Sequence, residues 1–349
     1  RKKLSTWKLK DIDCHQLMDQ WTFNDSHWNN LLGDLVEHAN SVDPHTPVGF
    51  VGAQSPNTFG GFDYAKVMRK IQFVEAYGLD DTQNIVRSFN PKQALPVVST
   101  HFHQNVDDTT WQAWYGLAKG NRGHIGWVEK WFDGKTPKPW HAKLAPQYKE
   151  IGEKISPIVA KSEFIDDNVA IYYNHASIQM GWIFDAASHG GTWPNRNGDA
   201  ARSTYHMVTR AWRKMLQDEG LQFTHINYAD IIQNGIPSHF KVIILPATYC
   251  LSDAEVTEIK KFVRNGGTLV SDFLPAVFDQ HGKARLNGGA LDDVFGVKQD
   301  MNITQKDIFT DGLWVEVNQD HCWQEAGKFK EFLSKGNTSI KDKSGFNKA

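Results

Sequence analysis

Apolar and polar positions are most regular between Phe240 and Phe273. Val242-Ile243-Ile244-Leu245-Pro246 is a short apolar run, β-branched and closed by proline, the pattern of a buried strand. Ser252-Asp253-Ala254-Glu255 follows, and a Ser with a Glu three residues on can form a capping box. Val256, Ile259, Phe262 and Val263 then fall on one helical face, and Gly266-Gly267 can take the left-handed conformation that ends a helix. Thr268 to Asp272 reads as the next strand. Strand, helix and strand within about thirty residues predict a βαβ unit, and with it a parallel sheet covered on both faces.

Upstream, helix and strand alternate four times between residues 28 and 131. Asp25-Ser26-His27-Trp28 opens a predicted helix carrying Leu31, Leu32, Leu35 and Val36, which fades at Asn40. A strand is predicted over 47–52, then a glycine-rich loop from Ser55 to Gly61 and a short helix over 62–69. The strand over 71–75 ends on Glu75, with Tyr77 just beyond. A helix over 81–89 leads to a strand over 94–99, which runs into Thr100-His101-Phe102-His103. A helix over 110–119 precedes the strand over 124–128, which ends in Glu129-Lys130-Trp131. Apolar strands with polar or aromatic ends are the pattern of a (β/α)8 TIM barrel, where functional side chains sit at the strand C-termini. Four strands are half of one, so the chain reads as carrying the C-terminal part of a barrel cut from a longer protein.

Pro137, Pro139, Pro146 and Pro157 break up the next stretch, which reads as a linker with a helix near 147–155. From Asn168 a strand is predicted over 169–173. A long loop follows, containing His175, Trp182, His189 and Trp193, then a helix over 203–219 and a strand over 221–226. With the 240–273 unit these make a doubly wound, flavodoxin-like α/β domain. The expected organisation is a partial barrel over 1–135, a linker over 136–166, the doubly wound domain over 167–298, and the start of a further module over 299–349.

Composition narrows the function. Of 349 residues, 40% are hydrophobic and 22% charged, with a formal net charge of −2. That gives no electrostatic footprint for nucleic acid, and no apolar run reaches the roughly twenty residues of a membrane span. Cys14, Cys250 and Cys322 are far apart and show neither a disulfide framework nor zinc spacing. The 13 Trp suit either a large core or a sugar cleft, where rings stack on apolar sugar faces.

Four patterns could carry chemistry. Glu75 and Glu129 each follow an apolar strand, and a retaining glycosidase needs two carboxyls about 5 Å apart. The competing reading of each is a salt-bridged surface Glu. Cys250 sits at a strand-to-helix elbow, but without flanking glycines it reads as a buried, inert thiol. His101 and His103 share a strand face, with His124 nearby. No acidic or Cys ligand joins them, so sugar hydrogen bonding or packing is expected rather than metal. Gly190-Gly191 and Gly266-Gly267 do not make G-x-G-x-x-G, and no cofactor is expected.

Leu245-Pro246, Leu251-Ser252-Asp253-Ala254-Glu255 and Phe262 to Val270 resemble the trimerisation domain of glycoside hydrolase family 42, the β-galactosidases and relatives acting on marine galactans. Gly120 to Trp127 resembles the approach to that family's last barrel strand. The resemblance implies an amidotransferase-like second domain without amidotransferase chemistry, a homo-oligomer such as a trimer, and a retaining hydrolase of β-galactosides. A galactan such as carrageenan or agar is the implied polymer. It also implies that Trp131 lines a sugar site, with Trp127, Tyr77, His101 and His103 as further candidates. Arg87 and Arg122 are candidates for an anionic sugar, since a guanidinium pairs well with sulfate-like oxygens, with an ordinary salt bridge the favoured reading of each. The family's acid/base Glu follows an Asn on the fourth strand, and no Asn-Glu pair occurs here. Its nucleophile is a Glu on the seventh strand, where this chain has Thr100-His101. The nucleophile is therefore expected at Glu129 or Glu75, with Glu129 ahead because Trp127, Glu129 and Trp131 alternate onto one face. The acid/base is expected before Arg1, which would leave the 349 residues inactive alone. The alternative is a non-catalytic carbohydrate-binding or assembly protein with a degenerate barrel.

Overall fold

The computed structural model describes residues 6–77, 82–90, 97–101, 105–126, 131–189 and 204–304. Two four-stranded parallel sheets organise it. The first holds β1 (Gly49–Ala53), β2 (Phe73–Ala76), β3 (Val97–His101) and β4 (Gly123–Gly126) in that order. Each strand pairs in parallel with its predecessor. Right-handed crossovers stepping in one direction keep the connecting helices on one face.

The second sheet has the order β10-β9-β7-β8, from β7 (Val169–Tyr173), β8 (Phe223–Asn227), β9 (Val242–Leu245) and β10 (Thr268–Ser271). All five residues of β7 are buried. Alternation along β7 divides its side chains between two cores. Ala170 and Tyr172 pack with Val256, Ile259 and Phe262 of the helix Asp253–Arg264. Val169 and Ile171 face Trp212 and Leu216 of the helix Thr204–Asp218. Helices therefore cover both faces, as the βαβ reading requires. The capping box is present: Ser252 Oγ accepts from the Glu255 N–H at 3.2 Å, and Glu255 Oε2 accepts from the Ser252 N–H at 2.7 Å.

Three expected elements differ. The first helix runs over His15–Val42, thirteen residues longer at its start than its apolar spacing implied. Its buried positions are Met18, Trp21, Asp25, Asn29, Gly33 and Val36; the spacing is helical, but two of the six are polar and one is glycine, so the apolar period is hidden. The expected loop after β7 is instead the helix His175–His189. Ile178, Met180, Trp182, Ile183 and Phe184 are all buried. A helix buried nearly all round loses its amphipathic signature. The helix expected from 110 is Val106–Ala118, because Asn105 caps it by accepting from the Asp108 N–H at 2.9 Å.

A two-stranded hairpin, β5 (Phe132–Asp133) with β6 (Thr136–Pro137), straddles the expected start of the linker at 136, and short helices follow from Pro139 to Val159. One core then spans the two parts of the chain. It joins Leu9, Met18, Trp21, Tyr64 and Val74 to Tyr173, Trp182, Tyr249 and Phe278. Residues 301–303 return to residues 9 and 10 through backbone hydrogen bonds. The expected module over 299–349 lies beyond residue 304 almost entirely, outside the described residues.

Candidate functional site

The C-terminal ends of β1 to β4 carry the rim where the sequence placed its chemistry. A bulge shapes the first of them. Gly52 has φ +78°, and the register of β1 on β2 shifts between Phe50 and Ala53. The Gly52 N–H, displaced from the ladder, donates instead to Glu75 Oε2 at 3.0 Å. Glu75 is buried. Tyr77, two residues on, donates its N–H to Ala53 O at 3.0 Å. Its ring covers Gly52 so closely that an added Cβ there would lie 3.5 Å from the phenol. Glu75 and Tyr77 are thus brought together on the bulged edge of β1.

Trp131 stands at the other side of the rim. The outer carbons of its six-membered ring lie against Gly126, the last residue of β4, where a Cβ would fall 2.1 Å from the ring. Only glycine permits that approach. Trp131 is buried, edge-on to Trp140 at 6.3 Å and tilted against His141 at 4.7 Å. His101 ends β3, in register with Gly126. His103, Trp127 and Glu129 lie outside the described residues.

The two arginines are elsewhere. Arg87 is in the last turn of the helix Thr82–Ser88, and Arg122 precedes the first residue of β4. Helices in such units run back along the strands, so both positions belong to the strand N-terminal end, away from the rim. Arg87 donates to Phe223 O at 3.1 Å and sits 3.6 Å over the Phe164 ring. Burial lowers its pKa to about 10. Arg122 donates to Val159 O at 2.9 Å. Both guanidiniums donate to backbone carbonyls of neighbouring segments of this chain.

His124 is packed at 4.9 Å from Tyr148, and burial lowers its pKa. Among the described residues no group of three His, Cys, Asp or Glu could hold a metal, and no helix is long and apolar enough to cross a membrane. Cys250 is fully buried, and burial pushes its thiol well above the usual range. Its N–H donates to Ser177 Oγ at 3.0 Å. Such a thiol is not a nucleophile.

A buried charged cluster at the junction of the two parts was not legible in the sequence. His175 Nε2 lies 2.8 Å from Asp25 Oδ2, and its Nδ1 lies 3.2 Å from the Tyr173 hydroxyl and 3.9 Å from Asp63 Oδ1. Tyr228 donates to Asp63 Oδ2 at 2.6 Å. Burial opposes charge on His175, but Asp63, and then Asp25, outweigh it and raise its pKa. The available signal was Asp25 and Asn29 falling on the helical period of Met18, Trp21 and Val36.

The fold is that of an α/β protein with parallel sheets, one of them doubly wound. Residues 169–339 match the family model described as the β-galactosidase trimerisation domain. β-Galactosidase BgaB of Geobacillus sp. (strain Y412MC61) is 35% identical over 60 residues, which are 17% of this chain and 9% of that protein. The β-galactosidase of Rahnella sp. R3 superposes with a TM-score of 0.59 at 17% identity, covering 80% of this chain and 44% of that one. The apo exo-carrageenase GH42 of Bacteroides ovatus gives a TM-score of 0.56 at 12% identity, covering 77% and 40%. At these identities the superpositions speak to the fold, and the chain spans under half of those structures. Residues 169–339, just under half of the chain, thus carry the likeness to a β-galactosidase trimerisation domain, and the fold is similar to that of glycoside hydrolase family 42 structures.

Proposed function

We propose that these residues are the C-terminal part of a glycoside hydrolase that cleaves β-galactosidic linkages by double displacement. The observation that carries this reading is the trimerisation-domain match over 169–339, joined through one core to a sequential parallel sheet. The order β1-β2-β3-β4 fits an arc of a (β/α)8 wall, whose C-terminal rim is where such enzymes place their chemistry. On this reading the nucleophile is Glu129 or Glu75, Tyr77 and Trp131 border the sugar, and His101, His103 and Trp127 complete the rim. The nucleophile attacks the anomeric carbon while a second carboxylic acid protonates the leaving oxygen; water then releases the sugar with the roles reversed. No Asn-Glu pair occurs in these residues, so the acid is assigned to a strand outside them. The chain is taken to associate with copies of itself, as a trimer. A galactan is the polymer considered, since one superposing relative is an exo-carrageenase.

A second reading is a carbohydrate-binding or assembly protein with a degenerate barrel. It is favoured by β3, which ends in Ser99-Thr100-His101 without a carboxylate. Hydrolysis of neutral and sulfated β-galactosides by the full-length protein decides between them, with Glu129→Gln and Glu75→Gln alongside. The enzyme reading expects turnover, its loss in one variant by about a thousandfold or more with folding intact, and no turnover by the 349 residues alone. Binding of galactans without cleavage leaves only the second reading.

A further inference from the structure

Glu75 is held on the rim by an N–H that the sheet itself does not aim. Gly52 lies in the bulge of β1, outside the ladder, so strand pairing leaves the direction of its N–H open. Its neighbours set that direction instead. Gln54 Nε2 donates to the Gly52 carbonyl at 3.1 Å. The Gln54 carbonyl in turn accepts from the Tyr64 hydroxyl at 2.5 Å. Tyr64 is fully buried, so water is no ready substitute for that hydroxyl.

The other end of Tyr64 is tied to the second sheet. Its N–H donates at 3.0 Å to the hydroxyl of Tyr173, the last residue of β7. The same Tyr173 hydroxyl donates to the Phe62 carbonyl at 3.4 Å. Asp63, between those two residues, accepts at 2.6 Å from the hydroxyl of Tyr228, which opens the helix after β8. Residues 62–64 are therefore clamped by two hydroxyls from strand ends of the second sheet, and Tyr64 carries that anchorage across to the first.

Four hydrogen bonds in series thus run from Tyr173 to Tyr64, from Tyr64 to Gln54, from Gln54 to Gly52 and from Gly52 to Glu75. Packing alone would not need the hydroxyls, since phenylalanine at either position fills nearly the same space. Each hydroxyl instead meets a backbone group that no ladder pairs. We infer that Tyr64 is a positioning residue, a strut through which the doubly wound domain fixes the Gly52 N–H on the rim carboxylate Glu75.

The inference rests on the catalytic reading of the rim, but its first readout is hydrogen exchange and not turnover. Exchange of the Gly52 N–H is followed by residue-resolved mass spectrometry in the full-length protein and in Tyr64→Phe, Tyr173→Phe and Tyr172→Phe. Tyr172 is the neighbour of Tyr173 on β7, bonds Glu255 in the other core, and controls for loss of a buried hydroxyl as such. The expected result is exchange about tenfold faster in Tyr64→Phe and in Tyr173→Phe, and unchanged in Tyr172→Phe. Joining the first two changes is expected to add little to either alone, because both break one path. Hydrolysis of β-galactosides is expected to show kcat about tenfold lower in those two variants with KM near its native value. Unchanged Gly52 exchange, equal acceleration in Tyr172→Phe, or a kcat no lower than that of Tyr172→Phe overturns it. A native protein that shows the exchange pattern and never hydrolyses leaves the strut standing and removes only the enzyme reading.

Discussion

Glu255 shows how one side chain can serve three donors. Its Oε2 accepts from the Ser252 N–H at 2.7 Å, closing the cap of its own helix. Its Oε1 accepts from the Tyr172 hydroxyl and from Asn174 Nδ2, each at 2.6 Å. The carboxylate is 1% exposed, so none of these donors has water as a ready substitute. The capping box could be read from Ser252-Asp253-Ala254-Glu255, because it depends on spacing within one helix. The partners on and just after β7 could not, because Tyr172 and Asn174 are some eighty positions away. Glu255→Ala is expected to cost about 3 kcal/mol, well above the ~1 kcal/mol of an ordinary cap, since two further buried donors are left unpaired. Urea unfolding measures it, and a loss near the ordinary cap value would mean that Tyr172 and Asn174 find other partners.

Among the elements, β4 and the turn after it depend on a missing side chain. Gly126 admits the Trp131 indole because it has no Cβ. Gly126→Val is expected to expel the ring and destabilise the protein by about 2 kcal/mol, with altered tryptophan emission. Thermal unfolding and fluorescence test this; an unchanged midpoint would show that Trp131 can sit elsewhere at no cost. The helices show why pattern reading succeeds or fails. Asp253–Arg264 was legible because Val256, Ile259 and Phe262 are buried while its opposite face is charged. The start of His15–Val42 was missed because it buries Asp25 and Asn29, and His175–His189 because its residues 177–184 are buried on every side, the polar Ser177 and Gln179 included.

On the scale of the whole molecule, the His175 cluster joins what the sequence treated as two domains. Asp25 comes from the first helix, Asp63 caps the helix Tyr64–Val67, and His175 follows β7. Lys66, 3.6 Å from Asp63, completes the charge around it. His175 has a raised pKa in the folded state, so the folded form holds its proton more tightly than the unfolded form. The stabilisation is fully present below the unfolded pKa of about 6.5 and is lost as pH rises through the higher folded value. Urea midpoints of the native chain are therefore expected to fall as pH rises above about 6.5, and His175→Gln to flatten that slope. An equal slope in the variant would assign the dependence to other groups.

The sequence by itself determined the strands, the periodic helices, the capping box and the family resemblance. All of these rest on neighbours within one element or on a pattern repeated along the chain. Tertiary structure decided which residues meet. It gave Glu75 the N–H freed by the Gly52 bulge, laid Trp131 on Gly126 and turned Arg87 and Arg122 toward packing. It also buried His175 between two carboxylates. These contacts join residues whose separation along the chain carries no periodic signal, and burial, which sets their charge and reach, exists only once the chain has closed on itself.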